Sequence, residues 1–156
     1  MAALGGSTIA PPLDGESEPK FTRRVLAPVV RQVLDQIPGL HLQLRGDGGD
    51  EQSIPSSILG VEFFPDLAVS IGRQHVWAAE VKFLKPHSRQ NSIATAVGQA
   101  TVYRRRYEMV SIFFLDTSPG THEPREDVQS FSTAVGLHTV FAYLVGNEVC
   151  VVNGNY

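Results

Sequence analysis

Apolar residues in this chain fall into short blocks whose period changes along the sequence. Phe21, Val25, Leu26, Val29, Val30, Val33, Leu34 and Ile37 recur at helical spacing, with Arg23, Arg24, Arg31, Gln32 and Asp35 outside the stripe. This predicts a helix over 21–37. Pro28 lies within it and calls for a kink or a late start, and Pro38-Gly39 ends it. Leu40, Leu42 and Leu44 then alternate with His41, Gln43 and Arg45, the pattern of a half-buried strand. Gly46 to Ser57 is polar, acidic and glycine-rich. It lacks the Lys-Ser/Thr ending of a phosphate-cradling loop, and its three acids would repel an anion, so it reads as a connector. Ile58 to Phe64 leads onward and is read as a continuous strand.

The next two apolar runs, Asp66 to Ile71 and His75 to Phe83, are separated by Gly72-Arg73-Gln74. Two strands about a three-residue, glycine-containing loop predict a hairpin. With Arg73 at its centre, residues whose numbers sum to 146 face each other, and Asp66 meets Glu80. Side chains alternate along a strand, so Glu80 and Lys82 share a face with Asp66, beside Ala68, Ser70 and Ala78. Leu67, Val69, Ile71, Trp77, Ala79, Val81 and Phe83 take the other face and form a core. Glu62, four residues before Asp66, would join the acidic face if the strand ran unbroken through Pro65.

Lys85 to Asn91 is a polar, basic loop, and Ser92 to Tyr107 carries a helical stripe of Ile93, Ala96, Val97, Ala100 and Tyr107. Gln99, Tyr103 and Arg106 form a second row on that helix at i, i+4 and i+7. Met109 to Asp116 is an apolar strand, Thr117 to Glu123 a turn-rich loop, and Pro124 to Val135 a short helix with proline in its first turn. Thr139 to Val145 and Glu148 to Val152 make a last hairpin about Gly146-Asn147. The order is helix, three strands, helix, strand, helix, two strands: an α/β chain with a mixed sheet flanked by helices.

Composition narrows the classes. The 156 residues suit one domain, and residues 1–19, rich in Gly, Ser, Pro and acids, read as a disordered tail before a single domain over 20–156. No apolar run approaches a membrane span, and no secretory leader is visible at the N-terminus. A single cysteine, Cys150, excludes an internal disulfide, and a cytoplasmic location is expected. The five histidines show no ligand-pair spacing, so no zinc site is expected. Net charge is −3, which argues against a protein that coats nucleic acid, but its distribution is uneven. Residues 20–116 hold twelve Lys/Arg against nine acids, whereas the two ends are acidic.

Two carboxylates on adjacent strands can hold a hard divalent cation, and an ammonium beside them can orient water and offset charge on a phosphoryl oxygen. The residues also carry a resemblance. Pro65-Asp66, a spacer of thirteen residues, then Glu80-Val81-Lys82 resembles the signature of the PD-(D/E)XK nuclease superfamily, the restriction-endonuclease-like fold. Gln99-x-x-x-Tyr103 is similar to a motif of its helicase-nuclease and phage-exonuclease branch. The element order is similar to the αβββαβ core of that fold.

The resemblance implies Mg²⁺- or Mn²⁺-dependent hydrolysis of phosphodiester bonds, in DNA first of all. Asp66 and Glu80 would be metal ligands, the Val81 carbonyl a third, and Lys82 the catalytic lysine that positions or deprotonates water. Gln99 and Tyr103 would line the site. Lys85, Arg89 and Arg106 are candidates for phosphate contacts, and homodimerisation is allowed for. Many members place an acid on the first helix, but here that helix holds only Asp35, near its end, which leaves the metal count open. The alternative is a catalytically silent nucleic-acid-binding or structural subunit with the same fold.

Overall fold

An interrupted helix opens the fold in this computed structural model, which describes residues 9–46, 52–118, 125–145 and 148–155. α1 (Glu18–Phe21) runs into a π-helical turn over Thr22–Leu26 and then into α2 (Ala27–Leu34). Pro28 has no N–H to offer the carbonyl one turn back. The wider turn just before it absorbs this, with the Ala27 N–H bonding to the Thr22 carbonyl. The expected proline effect is therefore a π-bulge rather than a late start, and the helix begins upstream of Phe21.

The boundary expected at residue 20 also moves. Ile9 is 1% exposed and packs in the same core cluster as Phe21. Arg24 grips Glu16 through two hydrogen bonds of 2.7 Å, which hold the Glu16 carboxyl down at about 2. Residues 9–19 are thus part of the packed chain, while residues 1–8 lie outside the described residues.

Six strands form the central sheet in the order β1-β4-β5-β6-β7-β8. They are β1 (Leu40–Leu44), β4 (Leu67–Ile71), β5 (Gln74–Leu84), β6 (Met109–Asp116), β7 (His138–Val145) and β8 (Glu148–Gly154). β2 (Ser56–Ile58) and β3 (Val61–Phe63) form a separate hairpin. β1, β4 and β5 are antiparallel neighbours, β5–β6 and β6–β7 are parallel, and β7–β8 is antiparallel. Parallel neighbours need crossovers, and α3 (Arg89–Tyr103) and α4 (Arg125–Val135) supply them.

The sheet separates two cores. One gathers Phe21, Val25 and Leu26 over Leu67, Trp77, Val81, Phe83 and Phe113. The other gathers Ala96, Ala100, Tyr103 and Tyr107 over Ala68, Ala78, Ile112 and Phe114. Phe21 is fully buried, edge-on to Phe83 at 5.4 Å, and its burial contributes roughly 2–3 kcal/mol to holding α1 against β5.

The hairpin register holds where it matters. Leu67, Ala68 and Val69 face Ala79, Ala78 and Trp77, each pair summing to 146. Nearer the turn a bulge leaves Val76 unpaired, so Ser70 faces His75 and Ile71 faces Gln74. The turn is Gly72-Arg73 alone, with Gly72 at φ 55, and Gln74 belongs to β5. Two errors of one residue cancel at the bulge. Ile58 to Phe64 is not one strand: the chain reverses at Leu59-Gly60, and β3 stops at Phe63 ahead of Pro65. The alternation from Glu62 to Asp66 is therefore broken, and Glu62 lies exposed opposite Ser57. α3 starts and ends earlier than expected. Pro124 and the Gly146-Asn147 turn lie outside the described residues, although the Val145–Glu148 pairing matches a two-residue connection.

Candidate active site

β4 begins only at Leu67, whereas β5 runs on to Leu84, so the last residues of β5 have no strand partner on that edge. Two carboxylates take its place. The Asp66 N–H still bonds to the Ala79 carbonyl, and the Val81 N–H then donates to Asp66 Oδ2 at 2.9 Å. Two residues further, the Phe83 N–H donates to Glu18 Oε1 at 2.8 Å. A strand residue turns its N–H and C=O to the same side, so the Val81 carbonyl opens onto the edge that Asp66 and Glu18 occupy.

Glu80 and Lys82 project from the same stretch. Glu80 is completely buried. Its Oε1 lies 2.6 Å from Lys82 Nζ, an ion pair without hydrogen-bond alignment, and its Oε2 lies 2.7 Å from the Tyr103 hydroxyl. That hydroxyl is also 3.0 Å from the Phe64 carbonyl, two residues before Asp66. Lys82 Nζ reaches Glu18 Oε2 at 3.6 Å. Three acids and a lysine therefore surround the end of the β4–β5 ladder.

Burial and crowding show in the protonation equilibria. Burial, then the charge of Asp66, push Glu80 up to about 7 against the opposing pull of Lys82 and Tyr103. Burial also raises Asp66, despite the Val81 N–H, Lys82 and Arg45, with Glu18 adding to the rise. For Lys82, burial acts downward, but the charge of Glu80 at 2.6 Å, with those of Asp66 and Glu18, outweighs it. Lys82 thus stays an ammonium at neutral pH.

Asp66 also borders a cleft of about 300 Å³ lined by Pro19, Thr22, Arg23, Leu44, Arg45 and Gly46. Arg23 Nη2 donates to the Arg45 carbonyl at 2.9 Å, and Arg45 Nη1 stands 3.8 Å from Asp66 Oδ1. Neither arginine stood out in the sequence.

The structure brings Asp66, Glu80, Val81, Lys82 and Tyr103 together. Gln99 lies one turn before Tyr103, half-buried, with Oε1 shielded and unpartnered. Lys85 is exposed just past β5. Arg89 is committed to buried Asp116, Nη2 to Oδ2 at 2.6 Å. Arg106 departs from the expected row because α3 ends at Tyr103. It sits near His75, whose pKa burial and the Arg106 charge both lower. His75 is five residues before Glu80 on β5, or roughly 16 Å along the strand, so Arg106 does not border the carboxylates.

Glu18 was missed because its neighbours have the composition of a loose tail. The available signal was Ser17-Glu18-Pro19, a helix-start pattern with proline in the first turn. Among the described residues, no group of three or more His, Cys, Asp or Glu forms a ready metal cage, and no helix is long and apolar enough to cross a membrane. Comparison with family models, curated proteins and solved structures finds no match for this chain.

Proposed function

We propose that this chain is a metal-dependent nuclease with a restriction-endonuclease-like core, acting on DNA in the first instance. The observation that carries the reading is the meeting of Asp66 with Glu80 and Lys82 just ahead of the start of β4. The topology supports it: a leading helix, the antiparallel strands β1, β4 and β5, a crossover helix, and β6 parallel to β5 follow the αβββαβ order, with the β2–β3 hairpin inserted.

The donor set suits a hard cation. Asp66 and Glu80 are both held above their usual range, and Glu80 Oε1 is buried without an aligned donor, so a divalent ion would relieve them. Asp66, Glu80 and the Val81 carbonyl would hold Mg²⁺ or Mn²⁺, with Lys82 giving way at Oε1. Bound there, the ion supplies a Lewis acid and an acidified water.

The chain's own residues do the rest. Lys82, charged at neutral pH, acts as a donor that orients water and offsets negative charge rather than as a base. Tyr103 fixes the Glu80 carboxyl against α3. Glu18 holds the edge of β5 open beside Lys82, answering for the acid that the first helix had seemed to lack. Arg23 and Arg45 in the cleft over Asp66 are placed to receive phosphates, which positions nucleic acid without reading its sequence.

Cleavage of DNA and RNA with each metal, together with Mn²⁺ affinity, tests the reading on two variants. Asp66→Ala should lose metal and cleavage together. Lys82→Ala should keep metal and lose cleavage by on the order of 10²–10⁴-fold. If Lys82→Ala cleaves like the parent, the lysine assignment fails. If the parent cleaves nothing, the silent binding-module reading replaces this one.

A further inference from the structure

Two demands fall on one arginine. In the nuclease reading Asp66 holds a cation and Arg45 a phosphate, yet the Arg45 guanidinium is turned to Asp66, with Nη1 3.8 Å from Oδ1. At that distance the contact is an attraction of charges and not a hydrogen bond. Asp66 Oδ2, by contrast, accepts the Val81 N–H at 2.9 Å. Oδ1 is therefore the oxygen that the fold leaves to a cation, and a guanidinium stands beside it.

The main chain of Arg45 is fixed and its side chain is not. Its N–H donates to the Asp66 carbonyl at 3.3 Å, and its own carbonyl accepts Arg23 Nη2 at 2.9 Å. The Arg45 side chain is 53% exposed and makes no hydrogen bond among the described residues. The Lys82 side chain, at 15%, is enclosed beside Glu80. Of these two basic side chains, Arg45 is the one able to swing. The cleft of about 300 Å³ that it lines with Arg23, Thr22 and Pro19 gives it room, and Asp66 is the sole carboxylate among the described residues of that lining.

We propose that Arg45 is an exchangeable counter-ion, which neutralises Asp66 in the metal-free protein and crosses to a substrate phosphate when a divalent cation replaces it. This rests on the nuclease reading and deepens it. A guanidinium and a dication beside the same carboxylate repel each other, and a phosphate in the cleft draws the guanidinium away from Asp66. Cation and phosphodiester therefore each favour the binding of the other, and the coupling is reciprocal. An arginine that served phosphate alone would not compete with the cation.

The test uses the full chain, with melting curves to confirm folding, and needs no cleavage. Mn²⁺ affinity is measured by electron paramagnetic resonance without nucleic acid, and DNA duplex affinity by anisotropy in EDTA across a salt series. Arg45→Gln removes the counter-ion. Arg23→Gln removes a charge from the same cleft that is bonded to the Arg45 carbonyl rather than paired with Asp66. At low ionic strength Arg45→Gln should bind Mn²⁺ roughly two- to fivefold more tightly than the parent. The gain should vanish in roughly 1 M salt, where screening reaches about 3 Å. Arg45→Gln should also bind duplex more weakly, with a salt slope shallower by roughly 0.9. Arg23→Gln should weaken duplex binding but leave Mn²⁺ affinity near the parental value.

Unchanged or weaker Mn²⁺ binding in Arg45→Gln overturns the exchange. So does an equal gain in Arg23→Gln, which would assign the effect to the charge of the whole cleft. Duplex affinity and salt slope unchanged in Arg45→Gln overturn the crossing to phosphate. A parent that cleaves DNA while Arg45→Gln keeps the parental Mn²⁺ affinity sinks the exchange alone. The full expected pattern in a protein that never cleaves sinks the nuclease reading alone, and a parent that binds no Mn²⁺ sinks both.

Discussion

Glu80 makes stability depend on pH in a way that can be measured without any substrate. Its side chain is completely buried, and its carboxyl stands at about 7 instead of the ordinary 4.5. The folded state therefore holds this proton over a range in which the unfolded chain has released it. The contribution to stability is full below about 4.5 and is lost as pH rises to about 7. At 1.36 kcal/mol per pH unit of offset, the loss is roughly 3 kcal/mol, or about 10 °C in melting temperature for a chain of this length. Asp66 is raised as well and adds in the same direction.

His75 and His138, both lowered by burial, act oppositely, because they gain stability as pH rises through the range near 6.5. A raw profile therefore mixes the two effects. The difference between the parent and Glu80→Gln isolates the carboxyl, since the amide mimics its protonated form. Melting temperatures from pH 5 to pH 8 in EDTA should fall in the parent relative to Glu80→Gln by about 10 °C. Parallel profiles for the two proteins would refute the burial argument.

Glu18→Ala should leave the Phe83 N–H without its acceptor and lower stability by roughly 1–3 kcal/mol in urea unfolding, with Glu18→Gln restoring most of it; equal midpoints for all three proteins would mean that this bond holds nothing. Gly154→Ala should destabilise by roughly 1–3 kcal/mol, because a Cβ there would lie 2.6 Å from the Val128 carbonyl oxygen and 2.8 Å from Ser132 Cβ. An unchanged melting temperature would show that α4 can move away from β8.

Local periodicity carried the sheet but not its interruptions. Asp66, Glu80 and Lys82 could be placed together because a hairpin register needs only a turn and alternation. A bulge leaves no mark in composition, so Val76 was invisible, although it cancelled the misplaced Gln74. The β2–β3 turn escaped because Leu59 occupies a place where Asn would have signalled it. Glu18 and Arg45 reach the site through tertiary packing, Glu18 through the docking of Phe21 on Phe83. Arg106 was displaced because three consecutive arginines continue a helical pattern past the end of α3, whose last turn at Tyr103 is set by burial against Glu80. Arg89 resembled a loop charge until Asp116, twenty-seven residues away, closed on it.

The Tyr103 hydroxyl has one proton and two oxygen neighbours, Glu80 Oε2 and the Phe64 carbonyl. When Glu80 carries its own proton, it can donate to the hydroxyl, and Tyr103 is free to donate to Phe64. When Glu80 is ionised, both oxygens compete for the same hydrogen, and the charged one has the stronger pull. The segment bearing the β2–β3 hairpin is thus moored to α3 by a bond whose strength follows the charge of a carboxyl on β5. Anything that sets that charge, whether pH or a cation, is transmitted through a single hydrogen to the base of the Leu59 hairpin.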